Sequence, residues 1–325
     1  MTVELSGLMR PTRRSLLLGA SSLVIARTGR AATTLRIGDQ RGNMRAVLEA
    51  ADALRGVPYD ISWVEFPAAA PLIEAMNAEA IELGVVGDAP FTFGFAAGVP
   101  MRVIAARRST QQGLAIVVPG NSPAHTLADL EGKRIATGRG SIGHFLVLAA
   151  LKHAGLPVDA VKLVFLLPAD AKAALASGSV DAWSTWEPYT SQVEVIDGGR
   201  QIVNGVGIAP GQGFQIASLA AIASKHDQLA DFLTRLTFAR RWANAHVGRY
   251  AEIWAKLMNF PASVPQHWFA RTSEEVVLID DRAISDEQTV IDLYSGAGLL
   301  RTKFTAASAF DASFNAAIRR GQTES

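Results

Sequence analysis

Arg36-Ile37-Gly38-Asp39-Gln40-Arg41-Gly42-Asn43 is restated 98 positions later as Arg134-Ile135-Ala136-Thr137-Gly138-Arg139-Gly140-Ser141. The spacing within the two copies is the same. A second pair follows: Ile81-Glu82-Leu83-Gly84 leads to Gly87-Asp88-Ala89-Pro90, and 99 positions on Val180-Asp181-Ala182-Trp183 leads to Trp186-Glu187-Pro188. Each motif falls where an apolar, strand-like run stops and helical spacing begins. The duplication therefore predicts two lobes of one plan, with four helix N-termini facing one another across a cleft.

Working outward, residues 34–38 and 59–66 carry strand signals, and 81–86 is a nearly all-apolar strand of the kind covered on both faces of a parallel sheet. Helical spacing marks 43–55, with Gly42-Asn43 at the N-cap, then 71–80 and a start at Asp88. The second half repeats the order with strands at 133–137, 161–166 and 179–184 and helices at 141–154 and 169–177. The fold class predicted is α/β: two doubly wound lobes joined by a two-crossing hinge, with ligands beyond the carboxyl ends of the strands. Lobe one is expected to span 32–118 plus 217–325, including the helical tail beyond Ser224, and lobe two 119–216. The hinge crossings are expected near Val118 and Gln215.

Residues 1–31 read as an export signal. Arg10, Arg13 and Arg14 precede an apolar run at 16–26 and small residues at Gly29, Ala31 and Ala32. That run is too short to span a bilayer. Thr12-Arg13-Arg14-Ser15-Leu16-Leu17 is a twin-arginine pair, which favours export of the folded protein, with a Sec signal as the alternative. The chain has 31 Lys and Arg against 30 Asp and Glu; the leader takes five and one of these, so the remainder is 26 minus 29, or −3. A nucleic-acid or anionic-membrane partner is disfavoured at that balance. The chain has no Cys, which removes disulfides, thiolate catalysis, thiolate metal sites and a lipidated N-terminal cysteine. His125, His153, His226, His246 and His267 show no metal-ligand spacing, so neither metal nor cofactor is expected.

Asp129-Leu130-Glu131-Gly132-Lys133-Arg134-Ile135-Ala136, Gly140-Ser141, Pro168-Ala169-Asp170-Ala171 and the run from Gly178-Ser179-Val180-Asp181 through Trp186-Glu187-Pro188-Tyr189 resemble the aliphatic-sulfonate-binding proteins of ABC importers. The resemblance extends from about Leu35 to about Leu300 and takes in Gly87-Asp88-Ala89-Pro90 and Arg271. It implies a type II periplasmic binding protein, a monomeric clamshell that closes over a small anion and hands it to a membrane permease with a cytoplasmic ATPase. The wider superfamily includes taurine, nitrate and thiamine-pyrimidine binders. Gly42-Asn43-Met44 and 211–215 depart from the family pattern beside the expected pocket, so the ligand's chain length and headgroup stay open, and the aromatic residues near the turns permit an aromatic sulfonate or a heterocycle alongside an alkanesulfonate. Relatives that are enzymes rely on cysteine-containing sites, which this chain lacks.

The first-turn N–H groups of a helix have no intrahelical partner, and the aligned peptide dipoles add partial positive charge there, so an anion is held without a metal. The candidate ligand-binding residues follow from that. Gly42, Gly87, Gly140 and Gly143 permit close backbone approach, and Gln40, Asn43 and Ser141 add neutral donors. Trp186 and Phe214 would enclose a tail, with Gln215 beside them on the return crossing. Asp88 and Glu187 stabilise their helix starts or orient a ligand hydroxyl or amine. His144 either faces the anion or caps its turn. Arg271 either supplies the cleft's full positive charge or forms an ion pair, and Arg41 and Arg139 point to the cleft or to water.

Overall fold

The computed structural model describes residues 33–40, 42–300 and 302–324; the expected leader and Arg41 lie outside the described residues. The chain begins β1 (Thr34–Gln40), α1 (Met44–Ala50), β2 (Asp60–Phe66), α2 (Ala69–Asn77), β3 (Leu83–Gly87), α3 (Asp88–Ala96), β4 (Met101–Ser109). Next come β5 (Ala115–Val118), β6 (Arg134–Thr137), α4 (Ile142–His153), β7 (Lys162–Phe165), α5 (Pro168–Ala176), β8 (Ala182–Thr185), α6 (Tyr189–Val195) and β9 (Arg200–Asn204). It returns through β10 (Gln212–Ser218) to α7 (Leu219–Ser224), α8 (His226–Ala245), α9 (Val247–Met258), α10 (Ser263–Arg271), β11 (Glu274–Val277), α11 (Asp281–Gly296) and α12 (Asn315–Thr323).

The expected duplication is present in the sheets. One has the order β11-β4-β10-β3-β1-β2 and the other β7-β6-β8-β5-β9. In the first, β1 lies parallel to β2 and β3, and β10 runs antiparallel between β3 and β4. In the second, β6 lies parallel to β7 and β8, and β5 runs antiparallel between β8 and β9. Each lobe thus receives one interior antiparallel strand, β10 or β5, from a chain that has just left the other lobe.

That exchange corrects the expected boundaries. β5 was expected in lobe one and β10 largely in lobe two, but β5 pairs within the second sheet and β10 within the first. The crossings lie between Ser109 and Ala115 and between Asn204 and Gln212. All four residues of β5 and all seven of β10 are buried, as central strands are, but β10 carries Gln212, Gln215 and Ser218, and neither strand's sequence says which sheet it completes.

Helices cover both faces of each sheet. In lobe one, α1, α8, α9 and α12 bury Leu48, Phe232, Trp254 and Ile318 against one face, and α2 and α3 bury Leu72 and Phe91 against the other. The packing demands glycine where helix and sheet approach closely: a Cβ on Gly84 would stand 2.6 Å from a Leu72 methyl. A separate cluster joins the lobes, with Ala89, Val290 and Tyr294 of α3 and α11 against Phe145 and Leu148 of α4. At roughly 1.5–3 kcal/mol for each fully buried large side chain, this seam holds the lobes together on one side of the cleft.

Candidate ligand-binding site

The strands' carboxyl ends open onto one cavity of about 380 Å³ between the lobes. Gln40, Pro67 and Gly87 reach it from β1, β2 and β3, and Gly138, Leu166 and Trp186 from β6, β7 and β8. The volume falls in the range of small-molecule sites, about 300–1,000 Å³.

Of the four helix starts the duplication singled out, three are already occupied by the protein's own acids. The Asp39 carboxyl, fully buried, accepts from the amides of Met44 and Arg45 at 2.9 and 3.0 Å and so closes α1. Asp88 accepts from the Ala89 amide at 2.6 Å at the start of α3. Glu187 accepts from the Ser191 amide at 3.0 Å at the start of α6. These acids take the place of a bound anion, which corrects the expectation that all four starts serve the ligand.

Two starts remain open. At α4, Ser141 caps the His144 amide at 3.2 Å, but the amides of Ile142 and Gly143 have no acceptor among the described residues. The second was not anticipated. At α2 the N-cap is Ala68, which has no side-chain acceptor, and the amides of Ala69 and Ala70 are likewise without one. Ala68, Ala69 and Ala70 line the cavity from lobe one; Ser141 and Ile142 line it from lobe two.

The charges around the cavity also differ from expectation. Arg271 does not line it: its guanidinium donates to Glu187 Oε1 at 2.5 Å and to Glu194 Oε2 at 2.6 Å. Arg139 does line it, with its guanidinium 3.9 Å from the Phe165 ring centroid, and no carboxylate among the described residues pairs with it. Arg107, on the opposite wall, is tied to Glu274, which also meets Arg240 at 3.0 Å. Among the described residues, the cavity's uncompensated positive charge is therefore Arg139. His144 is buried behind the wall; burial and the nearby Arg139 charge push its imidazole down to about 4, so at neutral pH it is uncharged, and Nδ1 accepts from the Gly140 amide at 3.2 Å.

Among the candidate residues, Gln40, Asn43, Gly87, Gly140, Ser141, Trp186 and Glu187 line the cavity, as does Arg139. The others stand behind its wall or away from it. Gly42, at φ +66°, makes room for Met258. Gly143 lies so close to β8 that a Cβ would sit 2.5 Å from the Ser184 carbonyl oxygen. Phe214 packs edge-on against Phe91 and Phe310 in the core, and Gln215 is fully buried in β10. Two of the glycines serve lobe contact: a Cβ on Gly87 would meet an Ile142 methyl at 2.5 Å, and one on Gly140 would meet Phe93 at 2.8 Å. Gln40 donates to the Val85 carbonyl at 2.6 Å, and Asn43 Oδ1 accepts from Arg240 at 2.5 Å. Trp186, Tyr189, Phe165 and Trp268 give the cavity aromatic walls drawn from both lobes.

Asp88 gives a pH-dependent prediction. Burial pushes its carboxyl up to about 7, against the opposing pull of the Ala89 and Gln212 amides and the Arg107 charge. A carboxyl raised in the folded state contributes stability fully below its unfolded value, near 4, and loses it as pH rises through about 7. Asp88→Asn keeps an oxygen for both amides and does not ionise. Urea unfolding at pH 5 and pH 8 is expected to show the variant gaining on the wild type at the higher pH; equal differences at both would contradict this role for Asp88.

A family model described as NMT1/THI5 like matches residues 60–246. A protein of Escherichia coli (strain K12) named for binding aliphatic sulfonates is 34% identical over 251 residues, covering 76% of this chain and 78% of its own. The chain belongs to the NMT1/THI5-like family. Solved structures place this NMT1/THI5-like chain in the fold of periplasmic binding proteins. The alkanesulfonate-binding protein SsuA from Xanthomonas axonopodis pv. citri, bound to MOPS, aligns with a TM-score of 0.80 at 31% identity, over 86% of this chain and 98% of that one. The periplasmic aliphatic sulphonate binding protein SsuA from Escherichia coli aligns at 0.77 and 30%, over 86% and 92%.

Proposed function

We propose that this protein is the periplasmic substrate-binding component of an ABC importer, exported behind a cleaved twin-arginine leader, and that as a soluble monomer it carries an alkanesulfonate-type anion to a permease and its ATPase. One observation carries the reading. Two helix starts from opposite lobes, α2 without a side-chain cap and α4 with the amides of Ile142 and Gly143 left free beside its Ser141 cap, line the same cavity together with Arg139, which pairs with no carboxylate among the described residues. Those groups complement an anion that closes the cleft around itself. Micromolar binding needs about 8 kcal/mol, and charge-assisted hydrogen bonds at about 1.5–3 kcal/mol each reach that with three to five donors, before the cost of association.

Among the described residues the headgroup has one uncompensated cation to meet, Arg139, which suits a monoanion. The tail meets Trp186, Tyr189, Phe165 and Trp268. A cavity of about 150 Å³ accommodates benzene, so this one has room for a sulfonate with either a medium alkyl chain or a ring. Binding rather than catalysis is the reading for the cleft's acids, because Asp88 and Glu187 are committed to helix starts and an ion pair.

Calorimetric titration of the purified mature protein tests this. Ethane- to octanesulfonate, taurine and benzenesulfonate form the test panel, with nitrate, sulfate and a thiamine-type pyrimidine as competitors. Micromolar binding of at least one sulfonate, and weaker binding of sulfate, is expected. Binding of the pyrimidine or nitrate with no sulfonate bound would overturn the assignment.

A further inference from the structure

Separately from the apolar seam, the lobes meet through a polar network built on one residue. Arg271 closes α10, whose Trp268 belongs to the lobe-one core. Its guanidinium crosses to lobe two, where Nε and Nη2 donate to Glu187 Oε1 at 3.0 and 2.5 Å, Nη1 donates to Glu194 Oε2 at 2.6 Å, and Nη2 reaches Ser191 Oγ at 3.1 Å. His267, one turn earlier on α10, brings Nδ1 to 3.2 Å from the same Ser191 hydroxyl. Beside the network the first crossing is pinned, since Thr110 Oγ1 donates to the Arg271 carbonyl at 3.2 Å. Gly113 leaves room there for the Glu187 side chain; a Cβ would sit 2.3 Å from Glu187 Cγ.

Glu187 is the link to the cavity. Its carboxylate caps α6 and pairs with Arg271, while Trp186, Glu187 and Pro188 form cavity wall. The ion pair is mostly buried, with side-chain exposures of 17% for Arg271 and 7% for Glu187, so solvent screens it little. We propose that Arg271 is a positioning residue, a clamp between α10 of lobe one and α6 of lobe two that holds the lobes closed and the Trp186–Pro188 turn in place without touching the ligand. The proposal rests on the ligand-binding reading for its affinity arm and stands apart from it for its shape arm. The clamp consists of protein groups alone, so it favours the closed form before any ligand arrives.

Two consequences separate a clamp from a ligand contact. When binding requires the closed form, apparent affinity scales with the closed fraction, whatever the ligand. Loss of Arg271 therefore lowers affinity for every ligand by one common factor and leaves their rank order unchanged. It also shifts the ligand-free protein toward an open shape.

Small-angle X-ray scattering of ligand-free protein, with titration of each sulfonate that the wild type binds, tests this on Arg271→Met, Arg271→Lys and the double variant Arg271→Met with Glu187→Gln. The expected result is a larger radius of gyration for Arg271→Met, a common affinity loss of about tenfold or more, and partial recovery of both by lysine. The double variant removes the Glu187 charge that Arg271→Met leaves bare. If the loss came only from that charge repelling the anion, the double variant would recover wild-type affinity and shape, and the clamp would be wrong; the clamp keeps it weak and open. A wild-type radius for Arg271→Met also overturns the proposal, whichever ligand the cavity takes. Glu194→Gln, which removes one carboxylate charge at a partly exposed position, gives a smaller shift in the same direction if Arg271→Met does not fold.

Discussion

Arg139→Gln is expected to weaken sulfonate binding by about 10- to 150-fold while leaving the fold nearly as stable as before. A hydrogen bond to a charged group is worth about 1.5–3 kcal/mol, and each 1.4 kcal/mol is a factor of ten in affinity. Arg139 is exposed at the cavity wall, with a ring contact to Phe165 and no ion pair among the described residues. Its removal therefore costs the fold no more than about 0.5–1 kcal/mol, the value of an exposed cation–π contact. The variant separates charge recognition from closure. Loss of Arg139 discriminates by ligand charge, so an uncharged analogue of the same tail is affected far less than the sulfonate. Arg139→Lys keeps the charge but replaces the planar fork with a single ammonium, and an intermediate affinity is expected. Unchanged sulfonate binding in Arg139→Gln, by calorimetry, would remove Arg139 from the site.

The largest effect on stability is expected from Glu274→Leu. Glu274 lies between Arg107, on the cavity wall, and Arg240, whose side chain holds Asn43 Oδ1 at 2.5 Å. The side-chain exposures, 16% for Arg107, 13% for Glu274 and 6% for Arg240, make this a buried triad. Removing the central carboxylate strands two guanidinium groups in a poorly solvated site, a loss of about 3–5 kcal/mol. A fall in melting temperature of roughly 5–15 °C is the corresponding scale for a chain of this size. Arg107 and Arg240 hold the Glu274 carboxyl below the ordinary range against burial. A depressed carboxyl contributes stability above its unfolded value and loses it as pH falls through its folded one. The variant should therefore show its full deficit at neutral pH and a shrinking deficit in acid. Replacing Arg107 and Arg240 by methionine together with Glu274→Leu should recover much of the loss, since no charge is then left unpaired. A Glu274→Leu protein as stable as the wild type at pH 7 would show the triad to be energetically idle.

Much of the architecture is legible along the chain because it is written twice. The repeated Arg-Ile and Arg-Gly spacing and the paired Gly87-Asp88 and Trp186-Glu187 turns predict two sheets of one plan, and the sheets have it. The lobe boundaries are not legible. β5 and β10 are buried strands beside glycine-bearing turns, and which sheet each completes depends on pairing with residues far away in sequence. Helix starts are recognisable too, but a start holds a ligand only if its amides are free. That is decided in space: Asp39 folds back over Met44 and Arg45, while Ala68-Ala69-Ala70 leaves α2 open because alanine has nothing to cap with. The one available clue to α2 is Pro71 near a helix start, next to a strand end. The two arginines exchanged roles for the same kind of reason. Arg271 lies within reach of two carboxylates of lobe two, and Arg139 has none among the described residues, a distinction that spacing along the chain does not contain.

The most direct measurement is a crystal structure of the mature protein with a bound alkanesulfonate, its sulfur located by anomalous scattering. The account predicts the sulfonate between Ala69-Ala70 of α2 and Ile142 of α4, its oxygens within about 3 Å of those amides and of the Arg139 guanidinium. A sulfonate seated at the starts of α1, α3 or α6, with Asp39, Asp88 or Glu187 displaced, or bound outside the interlobe cavity, would contradict it.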